Sequence, residues 1–292
     1  MKSVALLGLV AGILLGTALA SPWVAAGLAA ALTRPFAFAR VYDRVFELLL
    51  AGALFVGWRR LDLGRAADLG FRRRGWAREL GRGLAVGLAG LAVGLGVCAL
   101  LGALVPALRY PPGKTLRKAL LGAAAALAIA VGEEALFRGV LLRRLERDGG
   151  RLAAVAITTL LYAAVHLIRT HGSPGPVHAW SGLSLTLGLL APLADRAALP
   201  RLAGLVVLGA LLAAARLRSG ALWLPIGIHA AFVAVFRVGR LFVVIPSDPA
   251  WLVGAGWPPL IGGAAGWIAL GVVALLLRRS LASARRPVSV ST

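Results

Sequence analysis

The chain has 292 residues, 60% of them hydrophobic, and a mean hydropathy of +0.86, which excludes an ordinary soluble globular domain. Its formal net charge of +21 comes from 32 Lys and Arg against 11 Asp and Glu, and these cations stand between apolar runs. They mark loops that meet anionic lipid headgroups and point away from a nucleic-acid partner, while the single Cys98, inside an apolar run, excludes an intrachain disulfide or a cysteine-built zinc site.

Eight apolar runs, near 4 to 32, 45 to 58, 84 to 108, 117 to 142, 152 to 169, 203 to 216, 221 to 238 and 259 to 277, predict membrane-spanning helices. Helices are required because lipid offers no partner for free backbone groups. In the first run, Lys2 and Ala18-Leu19-Ala20-Ser21 resemble a cleavable secretory signal. Apolarity resumes at Trp23 and lasts to Leu32, so the run reads as an uncleaved span interrupted at Pro22. Residues 59 to 82 carry eight arginines, interleaved with Leu69, Phe71, Trp76 and Leu80, and read as an amphipathic helix on the membrane surface. Stretches 170 to 182 and 241 to 258 hold no Arg or Lys, so charge bias places both termini and the 59 to 82 loop in the cytoplasm. Residues 172 to 202 open with Gly172-Ser173-Pro174-Gly175-Pro176 and contain only the short run Leu183 to Leu193, which predicts a re-entrant or interfacial segment.

The reading is an all-α polytopic transmembrane bundle of about eight spans. It divides into N-terminal helices with a basic loop at 1–116, a core at 117–238, and a C-terminal loop, last span and polar tail at 239–292. Arginine outnumbers lysine 29 to 3, the composition of a GC-rich genome, which suggests an integral protein of a bacterial inner membrane.

Ionisable side chains inside apolar runs are costly and tend to be functional. Glu133 and Glu134 follow Ala119 to Gly132 and precede Ala135-Leu136-Phe137. On a helix Glu134 and Arg138 share a face and can form an ion pair, while Glu133 points about 100° away. A carboxylate in apolar surroundings suits a general base near neutral pH. The competing reading is a structural ion-pair cluster of the kind transporters contain. Of the four histidines, His171 and His178 fall in the extramembrane stretch, and His166 and His229 fall inside spans. Counted from flanking arginines at 1.5 Å per residue, Glu133, His229 and His166 lie roughly 15, 16 and 22 Å deep, so helix tilt can bring them to one layer. Tyr162, one turn before His166, can line the same cavity or simply pack.

Three ordered pieces carry a resemblance to a known family. Glu133-Glu134-Ala135-Leu136-Phe137-Arg138-Gly139 resembles the E-E-x-x-x-R motif of the CPBP or Abi intramembrane proteases, which include CAAX prenyl endopeptidases and bacteriocin-processing relatives. Tyr162-Ala163-Ala164-Val165-His166 is similar to their aromatic-x-x-x-His motif. Gly209 to Phe232, with His229, resembles the region of their third motif, His-x-x-x-Asn, except that Val233 occupies the Asn position and cannot donate to an oxyanion. The resemblance covers roughly 117 to 235.

It implies an endopeptidase acting on peptide or protein substrates in or at the membrane. Glu133, helped by His166, would deprotonate water, His229 would stabilise the oxyanion, and Glu134 and Arg138 would hold the helix. Metal-free catalysis without a cofactor is the expectation, and Glu133, His166 and His229 are also a zinc set, the alternative. An inactive scaffold or immunity protein is a further alternative opened by Val233. A proton-coupled transporter with Glu133 as relay would show inverted halves with broken helices, and the sequence shows none. The resemblance leaves the substrate open, prenylated or not.

Overall fold

A computed structural model describes residues 2–33, 36–57, 65–167, 176–189, 191, 195–246, 248–255 and 258–283. The chain forms two compact units, Met1–Gly64 with Ala164–Arg196, and Arg65–Ala163 with Ala197–Thr292. The all-α reading holds: the only strands among the described residues are two of two residues each.

In the first unit, α1 (Lys2–Ala31) packs on α2 (Phe38–Gly57) and on the short α8 (Ser181–Gly188). Helix α1 runs unbroken through Pro22, where the sequence suggested an interruption. Gly182 lets α8 touch α1 directly, since a Cβ there would come 1.9 Å from the Ala18 carbonyl. Tyr42 and Thr186 join their hydroxyls at 2.7 Å, tying α2 to α8. An eight-residue helix cannot cross a bilayer, which agrees with the described part of 172 to 202; residues 172–175, 190 and 192–194 lie outside the described residues.

The second unit contains α3 (Ala66–Leu69), α4 (Trp76–Leu100), α5 (Pro112–Glu134), α6 (Leu142–Gly149) and the part of α7 (Arg151–Leu167) up to Ala163. It continues with α9 (Leu199–Ser219), α10 (Trp223–Val238), α11 (Ala250–Val253) and α12 (Ala264–Ser283). Helix α10 is the hub, packed on α4, α5 and α9, and α12 lies against α4 and α9. Glycines make the closest contacts. A Cβ on Gly83 would sit 2.2 Å from the Leu224 carbonyl, and one on Gly227 would sit 2.3 Å from the Leu80 carbonyl. Lower on α4, Gly90 and Gly94 give the same closeness to Ala269 and Ala265 of α12. Where water cannot drive helices together, small residues that allow backbones to approach supply dispersion contact instead.

Several boundaries differ from the sequence reading. The stretch 59 to 82, expected as one surface helix, instead holds the short α3 at Ala66–Leu69 and, from Trp76, the start of α4, to which Arg78 and Arg82 belong; residues 58–64 lie outside the described residues. The run read as one span from 84 to 108 stops at Leu100, because Gly102 turns left-handed at φ +71 and the Ala103 N–H caps the Cys98 carbonyl at 2.8 Å. Beyond it β1 (Val105–Pro106) pairs antiparallel with β2 (Val243–Val244). Pro112 then opens α5 at a position where its missing N–H costs nothing.

Among the described residues five helices are long and apolar enough to cross a membrane: Gly8–Ala31, Trp76–Leu100, Pro112–Gly149, Arg196–Ser219 and Trp223–Leu241. Arg151–Leu167 is a shorter apolar helix. Eight spans were expected, and α2 and α12 are helical without joining this set. Leu88, Leu116, Leu120 and Leu152 are exposed on these helices, the composition of a surface that meets lipid. The chain is an integral membrane protein.

Candidate active site

Helix α5 does not end at Glu134. It widens into a π turn, Ala135–Leu141, and continues as α6, giving one rod from Pro112 to Gly149. Such turns shift the helical register locally and recur at functional sites. This one begins directly after the two glutamates and contains Arg138.

Neighbouring residues on a helix diverge, and the two glutamates do so here. Glu134 is fully buried, whereas the Glu133 side chain remains 32% exposed. Glu134 Oε1 accepts two bonds at 2.9 Å, one from Arg138 Nη1 and one from His229 Nδ1 on α10. An ionised carboxylate only accepts, so the Nδ1 of His229 carries the proton and its Nε2 is turned toward the remaining polar groups. Those are Glu133 Oε2 at 3.8 Å and the Tyr162 hydroxyl at 3.4 Å.

Arg138 is buried and neutralised from several sides. Besides Glu134, its Nη2 donates to the Gly209 carbonyl of α9 at 3.0 Å, and its guanidinium lies 4.4 Å over the Tyr162 ring. Gly209 keeps this corner tight: a Cβ would come 3.1 Å from Tyr162 Cδ1 and 3.2 Å from Thr159 Cγ2, so those side chains would have to give way. Tyr162 in turn meets Phe137 and His229 edge-to-face, with centroids 5.5 and 5.7 Å apart. These contacts over-determine the ring positions.

The i,i+4 pair of Glu134 with Arg138 is where the spacing placed it. Besides its pair with Arg138, the Glu134 carboxylate also reaches across to His229. Glu133, left without a local partner by the sequence, faces the far nitrogen of the same histidine. His166 is half-buried on α7, one turn beyond Tyr162, and belongs to the first unit. His178 is exposed, and its N–H donates to Ser181 Oγ; His171 lies outside the described residues. Val233 is half-buried, one turn beyond His229.

Of the three residues expected as a zinc set, Glu133 and His229 belong to the second unit and His166 to the first. A histidine whose Nδ1–H is held by a carboxylate presents Nε2 as a ligand, and with the Glu133 carboxylate 3.8 Å away the chemistry of this pair suits zinc.

The fold and this site define a polytopic helical membrane protein with a carboxylate and histidine centre buried between helices. Residues 115–235 match the family described as type II CAAX prenyl endopeptidase Rce1-like, and this matched segment carries all three motifs. No curated protein and no solved structure matches the chain.

Proposed function

We propose that the protein is an endopeptidase that cleaves peptide bonds of membrane-associated substrates with water activated by Glu133. The observation that carries this reading is the paired geometry of His229, Nδ1–H on buried Glu134 and Nε2 toward half-exposed Glu133. Glu133 is the more exposed carboxylate of the pair, so it is assigned the proton of the attacking water. With Nδ1–H held by Glu134, a proton at Nε2 of His229 would hydrogen-bond to the oxyanion that forms as water adds to the carbonyl, and stay on the imidazole when the oxyanion collapses and the C–N bond breaks. The proton on Glu133 then passes to the leaving amine, closing the cycle. His166 is assigned as the helper of Glu133 on its motif spacing from Tyr162. Arg138 neutralises Glu134 and keeps that carboxylate an acceptor throughout.

Zinc is the second reading, favoured by the Glu134-held imidazole. Glu133, His166 and His229 would hold the ion, which would supply Lewis-acid activation of water.

Comparative peptide mapping of membranes from cells carrying native protein and Glu133→Gln tests the proposal. Peptide products that appear only with the native protein are expected, together with accumulation of their uncut precursors. Identical peptide maps end the endopeptidase reading and leave a scaffold or immunity role. Activity that persists in a strong chelator separates glutamate catalysis from zinc catalysis; stoichiometric zinc lost together with activity decides for the ion.

A further inference from the structure

We propose that the turn between α9 and α10, with residues 65–76 laid over it, forms a binding site for the phosphate headgroup of an anionic phospholipid. Arg72, Arg73, Arg74 and Arg216 would grip it, with Trp76 and Trp223 alongside.

Residues 65–76 are folded onto this turn and do not float on the surface. The Leu222 N–H donates to the Gly70 carbonyl at 2.9 Å, Arg216 Nη2 to the Leu69 carbonyl at 3.3 Å, and Trp223 Nε1 to the Arg72 carbonyl at 2.8 Å. Two left-handed glycines allow the approach. Gly70, at φ +111, leaves room for the Arg216 guanidinium, which lies 3.1 Å from where a Cβ would be. Gly220, at φ +68, does the same for Arg72, whose Nη2 lies 3.3 Å from its missing Cβ. The backbone thus places two guanidiniums on either side of one turn.

Charge is in excess there. Residues 65 to 82 hold six arginines against Asp68 and Glu79, and Asp68 already accepts the Arg65 N–H at 2.6 Å. Arg72 and Arg143 both act on Arg216 as like charges, with Glu146 opposing them, and Glu79 opposes Arg72. The Nε of Arg216 is buried and makes no hydrogen bond among the described residues. Crowded, partly dehydrated guanidiniums are relieved by an anion, and their planar fork matches phosphate oxygens.

The aromatic groups decide which anion. Trp76 is 47% exposed, and its ring lies 5.5 Å from that of Trp223, which also meets Phe71 edge-to-face at 5.4 Å. Indoles at the end of spanning helices sit at headgroup level, where a phosphate arrives attached to acyl chains. A soluble phosphate ester has no use for them.

The test is native mass spectrometry of the full chain in detergent, incubated with phosphatidylglycerol or phosphatidylcholine. Removing a basic side chain near an anionic surface weakens binding roughly fivefold, so the exposed triple variant Arg72→Gln, Arg73→Gln, Arg74→Gln is expected to lose at least about tenfold in phosphatidylglycerol retention. A charge-matched variant at the other end of the α5–α6 rod, Lys114→Gln, Arg117→Gln, Lys118→Gln, is expected to keep it. Excess inorganic phosphate is expected to leave the lipid in place. The proposal is overturned by equal retention in native and Arg72–74 proteins, by equal loss in both triple variants, or by displacement with phosphate alone.

Discussion

His229 and Glu134 meet across two helices, the Nδ1–H of one donating to Oε1 of the other at 2.9 Å with both side chains buried. The same oxygen holds Arg138, so one carboxylate fixes both a cation and an imidazole. Removing it leaves a buried guanidinium without its counter-charge, which typically costs about 3–5 kcal/mol. Glu134→Ala is therefore expected to be strongly destabilised in thermal unfolding, with Glu134→Gln less so because its carbonyl still accepts from His229. Equal stability of native protein and Glu134→Ala would remove this carboxylate from the core.

Glu133 is expected to behave oppositely. Its side chain is partly exposed, so Glu133→Gln should unfold within about 1 kcal/mol of the native protein. Its turnover of any peptide identified by the membrane mapping should fall at least about 100-fold. Unchanged turnover assigns the base elsewhere.

Tyr162→Phe deletes one hydroxyl 3.4 Å from His229 Nε2 and keeps the ring that Arg138 and Phe137 pack against. Stability should change by about 1 kcal/mol or less. A fall in kcat with KM unchanged places the hydroxyl at the reacting atoms, and an unchanged kcat makes Tyr162 a packing residue.

Val233 stands one turn beyond His229, where the family motif has Asn. A single oxyanion donor is worth about 3 kcal/mol. Val233→Asn is expected to raise kcat about tenfold or more, read by steady-state cleavage. A lower kcat in a folded variant argues that this position does not face the oxyanion.

Gly83→Ala and Gly227→Ala test the helix contact that carries His229. Each methyl would enter space within 2.3 Å of a backbone carbonyl, so overpacking should cost about 1–3 kcal/mol or more. Gly81→Ala on the same helix, with open space around it, is the control and should be neutral or stabilising.

The sequence made the two glutamates and His229 legible because ionisable groups are rare in apolar runs, and it made the Glu134–Arg138 pair legible because a helix fixes i and i+4. It did not show that Glu134 reaches His229, 95 residues away, since that contact depends on how α5 and α10 rotate against each other. The π turn was hidden as well, because Ala135–Leu141 has no Pro or other local signal that distinguishes it from α-helix. Helix ends were misplaced where charge misled. Arg78 and Arg82 looked like loop residues, yet long arginine stems can lie along a helix and carry their charge to the interface, so α4 starts at Trp76. Conversely, the run 84 to 108 looked continuous because hydropathy does not register the left-handed Gly102 that stops it.

The contact between Gly83 and Gly227 has a consequence for precision. Side chains that interdigitate can exchange rotamers and let two helices slip, but here main chain rests on main chain with nothing compressible between. His229 lies two residues beyond Gly227, so its height in the bilayer is registered against α4 by the backbone itself. A shift of one residue would move the imidazole about 1.5 Å and swing it some 100°, enough to separate it from both glutamates. Two hydrogen atoms standing in for side chains thus serve as the molecule's depth gauge.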